Sequence, residues 1–232
     1  MNAREEILAR VREALKEPAP APGSGSHAAP TAAKSSSSGP TNFKPWLPLV
    51  GATFEDWRAM FTKNADLLKA TFKVVPSVEA AAAEIRQLAT QGQWKTIATH
   101  HSALTDAACK EAGPALLYTD AGYETAAMEK CEAGVTTCEA LIAQTGSVLI
   151  TSRNCGGRAL SVLPPHHIVV ATRDQLIPDL PAAFALLHQK FEGNYPSTMS
   201  FITGPSRTGD IERILVLGAH GPKQLTILLI AG

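Results

Sequence analysis

Apolar and polar positions along this chain repeat with two different periods. Over residues 3–16, Ile7, Leu8, Val11 and Leu15 recur at helical spacing among Arg and Glu, which predicts a short amphipathic helix. From residue 53 a broad apolar stripe of Phe54, Trp57, Phe61, Leu67 and Leu68, with Thr53 as N-cap, predicts a helix to residue 70. FKVV (72–75) follows as a strand, and Ser77 caps a helix over 77–90. The pattern then alternates. Strands are expected at 94–100, 115–119, 147–151, 167–172, 200–203, 214–219 and 225–230, and helices at 102–113, 135–146 and 177–189.

Several of these strands are apolar at consecutive positions, the mark of a sheet covered on both faces. Alternating strands and helices predict an α/β three-layer, Rossmann-like fold. Only HGPKQ separates the last two strands, too little for a parallel crossover, so an antiparallel hairpin and a mixed sheet are expected.

Residues 18–42 interrupt the pattern. PAPAPGSGSHAAPTAAKSSSSGP holds almost no large apolar side chain and cannot offset the entropy of its own ordering, so it reads as a linker. The chain thus divides into a helix (1–17), a Pro/Ala/Ser-rich linker (18–42) and an α/β domain (43–232). With 45% hydrophobic residues among 232, that domain has material for a sizeable core.

Formal net charge is zero, without the basic excess of a nucleic-acid binder. No apolar run reaches the roughly 20 residues of a membrane span, and the charged N-terminus lacks the apolar core of a signal peptide. A cytoplasmic location is expected. Cys109, Cys131, Cys138 and Cys155 form no C-x-x-C pair, which argues against a metal site and for reduced thiols. A reactive thiol at Cys155, in a Gly-rich loop, is the alternative.

Two loops concentrate polar chemistry. One is T-G-S (145–147) with SRNCGGRALSVLPPHH (152–167). Gly146 marks the entry to a strand, Gly156 and Gly157 free the backbone, and Arg153, Arg158 and Ser161 suit an anion. His166 and His167 stand just before a buried strand and each reads first as a structural residue, with ligand binding as the alternative. The other is TGPSRTGDIE (203–212). Ligands of open α/β sheets bind at the carboxyl ends of strands. There Gly204 and Gly209 permit converging N–H groups, and Thr203, Ser206 and Thr208 bring hydroxyls. Asp210 and Glu212 are candidate acid–base groups, with His220, beside Gly221-Pro222, as a titrating partner near neutral pH. A well-capped turn explains any one of these residues, but not so many in ten positions.

The stretches ALIAQTGSVLIT, RALSVLPPHHIVV and FITGPSRTGDIERILVLGAHGP together resemble the LUD family, in its lactate utilization protein C (LutC/YkgG) branch. The resemblance spans about residue 43 to the C-terminus. It implies a fold like that of the sugar-phosphate isomerase and CoA-transferase superfamily (NagB/RpiA/CoA-transferase-like). It also implies a part in oxidising L-lactate to pyruvate, beside partners of which one carries iron–sulfur clusters. The matching positions include Thr145, Gly146, Arg158, Ser161, Gly204, Ser206, Thr208, Asp210, Glu212, His220 and Gly221. Gln144 departs from the family, which often has an acidic residue before the T-G, and so supplies no nucleophilic carboxylate there.

The expected function is a subunit of a lactate-oxidising system that binds a small carboxylate or phosphate ligand. It carries no cofactor of its own, since GGRAL is not G-x-G-x-x-G, and iron–sulfur or flavin groups sit on partner subunits. The alternatives are an independent isomerase or acyl/CoA-transfer enzyme using Asp210 or Glu212 with His220, and an assembly or regulatory module docking through residues 3–16. A homo-oligomer is left open.

Overall fold

The computed structural model describes residues 48–208, 216–218 and 220–232, with Glu5, Arg10, Arg12, Glu13 and Lys16 of the first segment. Residues Met1–Trp46 and Leu47–Gly232 form two units. In the first, Glu5, Arg10, Arg12 and Glu13 are helical. Its apolar positions Ile7, Leu8, Val11 and Leu15, the linker 18–42 and residues 43–47 lie outside the described residues.

In the second unit, side-chain caps start the first three helices. Thr53 and Asp56 close a capping box on α1 (Phe54–Leu68). Ser77 accepts from Ala80 N–H to open α2 (Val78–Gly92), and Ser102 from Thr105 N–H to open α3 (Ala103–Cys109). Between them run β1 (Thr71–Val75) and β2 (Thr96–Thr99), followed by β3 (Ala115–Tyr118), the short α4 (Thr125–Met128) and β4 (Ala133–Thr136). Then come β5 (Ala140–Ile142), β6 (Ser147–Thr151), β7 (His166–Thr172), β8 (Leu176–Ile177), α5 (Leu180–Phe191) and β9 (Met199–Ile202). β10 (Arg207–Thr208), β11 (Val216–Leu217) and β12 (Gln224–Ile230) complete the order.

Six strands form one sheet, ordered β1-β12-β7-β4-β2-β3, and every neighbouring pair in it is parallel. A second sheet, β8-β5-β6-β9, is mixed: β5 runs parallel to β8, while β6 runs antiparallel to β5 and β9. α2 and α3 cover one face of the large sheet, around Ile85, Ile97, Val135, Ile168 and Leu228. α1 and the small sheet cover the other, around Phe61, Leu141, Val148, Val169 and Ile227. α5 closes the far side of the small sheet through Ala183, Leu187 and Phe191. The α/β class with a largely parallel sheet is as expected.

Two elements differ from expectation. Residues 135–146 are not a helix but parts of β4 and β5 and the turn into β6. Nearly every residue from 133 to 143 is buried, so the segment has no polar face for a surface helix, and Val135, Thr136 and Thr137 favour extended backbone. Nor do the last two strands pair with each other. β12 lies between β1 and β7 and is parallel to both, while β11 pairs antiparallel with β10. Leu225–Leu229 are all buried, which demands the centre of a covered sheet rather than a hairpin arm. Of the expected strand 214–219, Ile214, Leu215 and Ala219 lie outside the described residues.

Phe61 on α1 is fully buried and meets Phe72 on β1 with ring centroids 4.7 Å apart. Phe61→Ala should lower unfolding free energy by about 3–5 kcal/mol, read as a lower urea midpoint with an unchanged slope.

Candidate functional site

The order of the large sheet reverses beside β2, whose neighbours are β3 on one side and β4 on the other. Helices leave such a reversal in opposite directions, and a crevice opens at the carboxyl ends of the strands. Here that crevice is a cavity of about 460 Å³. His100 and His101 follow β2, Thr119 and Asp120 follow β3, and Ser152, Arg153, Asn154, Gly156 and Gly157 arrive from the loop after β6.

His100 is buried, and its Nε2 accepts the N–H of Thr137 at 3.2 Å, just past the end of β4. That bond occupies the Nε2 lone pair and assigns the ring proton to Nδ1. Burial lowers the His100 pKa further, with Asp120 opposing, so the ring is a neutral anchor and not a free base. His101 is exposed. Its ring lies stacked 3.8 Å over Tyr118, its N–H donates to Asp120, and its Nδ1 is 3.1 Å from Asp106 Oδ1. His101 thus lines the cavity with its Nδ1 turned to that carboxylate.

The loop that closes the cavity stands on a buried carboxylate. Glu139 accepts from Thr151 Oγ1 at 2.6 Å and Asn154 Nδ2 at 3.0 Å through one oxygen, and from Lys190 Nζ on α5 through the other. Its side chain is 1% exposed. Gly156 and Gly157 follow with φ of +74° and +82°. A Cβ on Gly156 would collide with Leu160 and His100, whereas one on Gly157 would meet nothing, so the Gly157 backbone faces open space. Arg153 Nη2 donates to Asn194 Oδ1 at 3.0 Å.

The expected site residues separate into two groups. Arg158 and Ser161 line a smaller cavity of about 110 Å³ with Thr151, Ser152 and Gly157, the last two shared with the larger one. The other described ones gather at the far end of β6, where Ser147 Oγ and Thr203 Oγ1 are 2.8 Å apart. β6 spans about 13 Å between those ends. A Cβ on Gly146 would come within 2.8 Å of Asn64, and one on Gly204 within 3.0 Å of Leu68 O, so both glycines admit α1. Thr145 Oγ1 is buried without a partner. Ser206 N–H donates to Pro222 O, and a Cβ on Gly221 would meet Ser206 at 3.3 Å. The 203–208 and 220–222 loops therefore do meet. Their anchor is Lys223 N–H to Pro165 O, at the amino end of β7. His220 is exposed. Thr208 ends β10, opposite Val216, while Gly209, Asp210 and Glu212 lie outside the described residues.

His100 and His101 were missed. Their signal was polar residues between a buried strand and the Ser102 cap, at a strand's carboxyl end. All four cysteines are free and buried. Burial raises the Cys155 thiol to about 11, against the reactive-thiol alternative. Among the described residues, no group of three or more His, Cys, Asp and Glu is placed to hold a metal, and no helix is long and apolar enough to cross a membrane.

Residues 123–230, the segment that holds β4–β7, the Glu139 junction and β12, match the model of the LUD domain. The chain is 29% identical over 203 residues to lactate utilization protein C of Geobacillus kaustophilus, covering 82% of this chain and 85% of that one. It is 36% identical over 104 residues to lactate utilization protein C of Geobacillus sp. WCH70, covering 44% and 43% of the two chains. To that of Bacillus subtilis it is 32% identical over 105 residues, 44% of each chain. In fold it is similar to the crystal structure of a DUF162 family protein from Deinococcus radiodurans, with a TM-score of 0.59, 19% identity, 78% of this chain and 100% of that one covered.

Burial holds His166 at about 4 and His167 at about 3, below the usual 6.5. Their folded values lie below the unfolded value, so the unfolded chain takes up protons that the folded one refuses. Stability should be complete above pH 6.5 and fall toward pH 4, by up to about 1.4 kcal/mol per pH unit per histidine. Urea midpoints from pH 7.5 to 4.5 measure this, and His167→Asn should flatten the slope.

Proposed function

We propose that this chain is a component of a lactate utilization system and binds a small 2-hydroxy or 2-oxo acid in the cavity at the carboxyl ends of β2, β3 and β4. The observation that carries this reading is the meeting of a loop cation with bare backbone at that crevice. Arg153 stands beside Gly156–Gly157, and a guanidinium pairs with a carboxylate through two parallel hydrogen bonds. The likeness to lactate utilization protein C along most of the chain supports the substrate class.

In this arrangement Arg153 receives the carboxylate and the Gly157 backbone approaches it. His101 Nε2, oriented through Asp106, accepts the 2-hydroxyl hydrogen. His100 holds the floor through Thr137. Oxidising lactate to pyruvate removes two electrons and two protons. The C2 hydrogen would leave with the electron pair as hydride to a flavin on a partner subunit in the cytoplasm, and iron–sulfur groups there would carry the electrons on. Arg158 and Ser161 add a second cation and a hydroxyl in the adjoining smaller cavity.

Calorimetric titration of the full chain with L-lactate, pyruvate and glycerol tests this. L-lactate or pyruvate should bind saturably and glycerol should not. Arg153→Gln should weaken binding at least about tenfold, one hydrogen-bonded charge pair, with unchanged circular dichroism. Absence of any saturable heat, or equal binding by the Arg153 variant, contradicts the assignment.

A further inference from the structure

A second polar cavity, of about 360 Å³, lies at the opposite edge of the large sheet, where β1, β7 and β12 begin. β7 runs seven residues from that edge, about 20 Å, so this cavity is remote from the carboxyl-end crevice. Three lysines line it, Lys69, Lys73 and Lys223, against one carboxylate, Glu84. Lys73 Nζ is 2.6 Å from Glu84 Oε2. Among the described residues, no ion pair engages Lys69 or Lys223. The wall therefore carries two uncompensated cations on a chain whose formal net charge is zero.

The elements fix the backbone that carries these lysines. Lys69 is the left-handed C-cap of α1 at φ +64°, with its N–H on Ala65 O and Asp66 O. Lys223 N–H is fixed to Pro165 O, and its stem packs against Gly218, where a Cβ would reach within 2.2 Å of Lys223 Cγ. His166 forms a buried wall, with Nε2 2.8 Å from Thr226 Oγ1 and its ring edge-on to Trp94. The cation type matters. Arginine forks suit the planar carboxylate at the other edge, whereas compact ammonium groups match the point charges of a phosphate. The volume is that of a small-ligand site.

We propose that this cavity binds a small phosphate-type anion, such as a pyrophosphate-bearing or phosphorylated metabolite, through Lys69, Lys73 and Lys223. Binding draws Lys73 away from Glu84, so Glu84 weakens the site it borders. The site lies outside the carboxylate cavity and does not rest on the lactate reading.

Thermal-shift and calorimetric titration of the full chain with inorganic pyrophosphate, phosphate and citrate at matched ionic strength tests it. Pyrophosphate should raise Tm saturably, phosphate more weakly, and citrate should not act at equal concentration. Lys69→Gln with Lys223→Gln should weaken pyrophosphate binding at least about tenfold, and Glu84→Gln should tighten it. The surface location of these lysines makes folding of the variants testable by circular dichroism in the same samples. Equal effects of citrate and pyrophosphate, no saturable shift, or undiminished binding in the double lysine variant would overturn the proposal. L-lactate titration of the same variants reports the other cavity separately, so the two proposals fail independently.

Discussion

A carboxylate removed from water at Glu139 sets the terms for the rest of the site. An isolated buried charge costs several kcal/mol, so the chain must deliver donors to it from elsewhere. β6 sends Thr151, the following loop sends Asn154, and α5 sends Lys190. These bonds join β6, the loop after it and the outer helix to the residue just before β5. They also stop the loop at the point where Arg153, Gly156 and Gly157 reach the ends of β2 and β3. The cavity is thus a by-product of charge satisfaction, made at a place where strand order already opens a crevice.

The same economy of contacts explains how distant segments share one core. β12 begins eight residues from the C-terminus and still occupies an inner position, between the first strand and β7. Leu225, Ile227 and Leu229 face α1 and the small sheet, while Leu228 faces α2 and α3. The sheet cannot complete either face until this last strand is in place. Contacts of such sequence separation form late and slowly.

Much of this was legible in the sequence. Thr53, Ser77 and Ser102 mark helix starts because a hydroxyl that caps N–H groups acts locally, whatever the tertiary setting. The apolar runs of β6, β7 and β12 announce a covered sheet for the same reason. Residues 135–146 misled because Leu141 and Ile142 fit helical spacing when burial on all sides is unknown. The partners of β12 were hidden because pairing depends on strands 58 and 155 residues away, whereas a five-residue gap suggests a hairpin. The contact of Ser206 with Gly221 followed from proximity in sequence. The separation of Arg158 from Ser206 did not, because it depends on β6 as a spacer. His100 and His101 became visible only when the strand order showed which carboxyl ends meet.

The central claim is that the small-acid ligand sits at the carboxyl ends of β2, β3 and β4 and not beside the 203–208 turn. A crystal of the full chain grown with pyruvate measures this directly. Ligand density against Arg153 and the Gly157 backbone is the predicted result. Pyruvate held instead between Ser206 and Gly221, at the other end of β6, would contradict it.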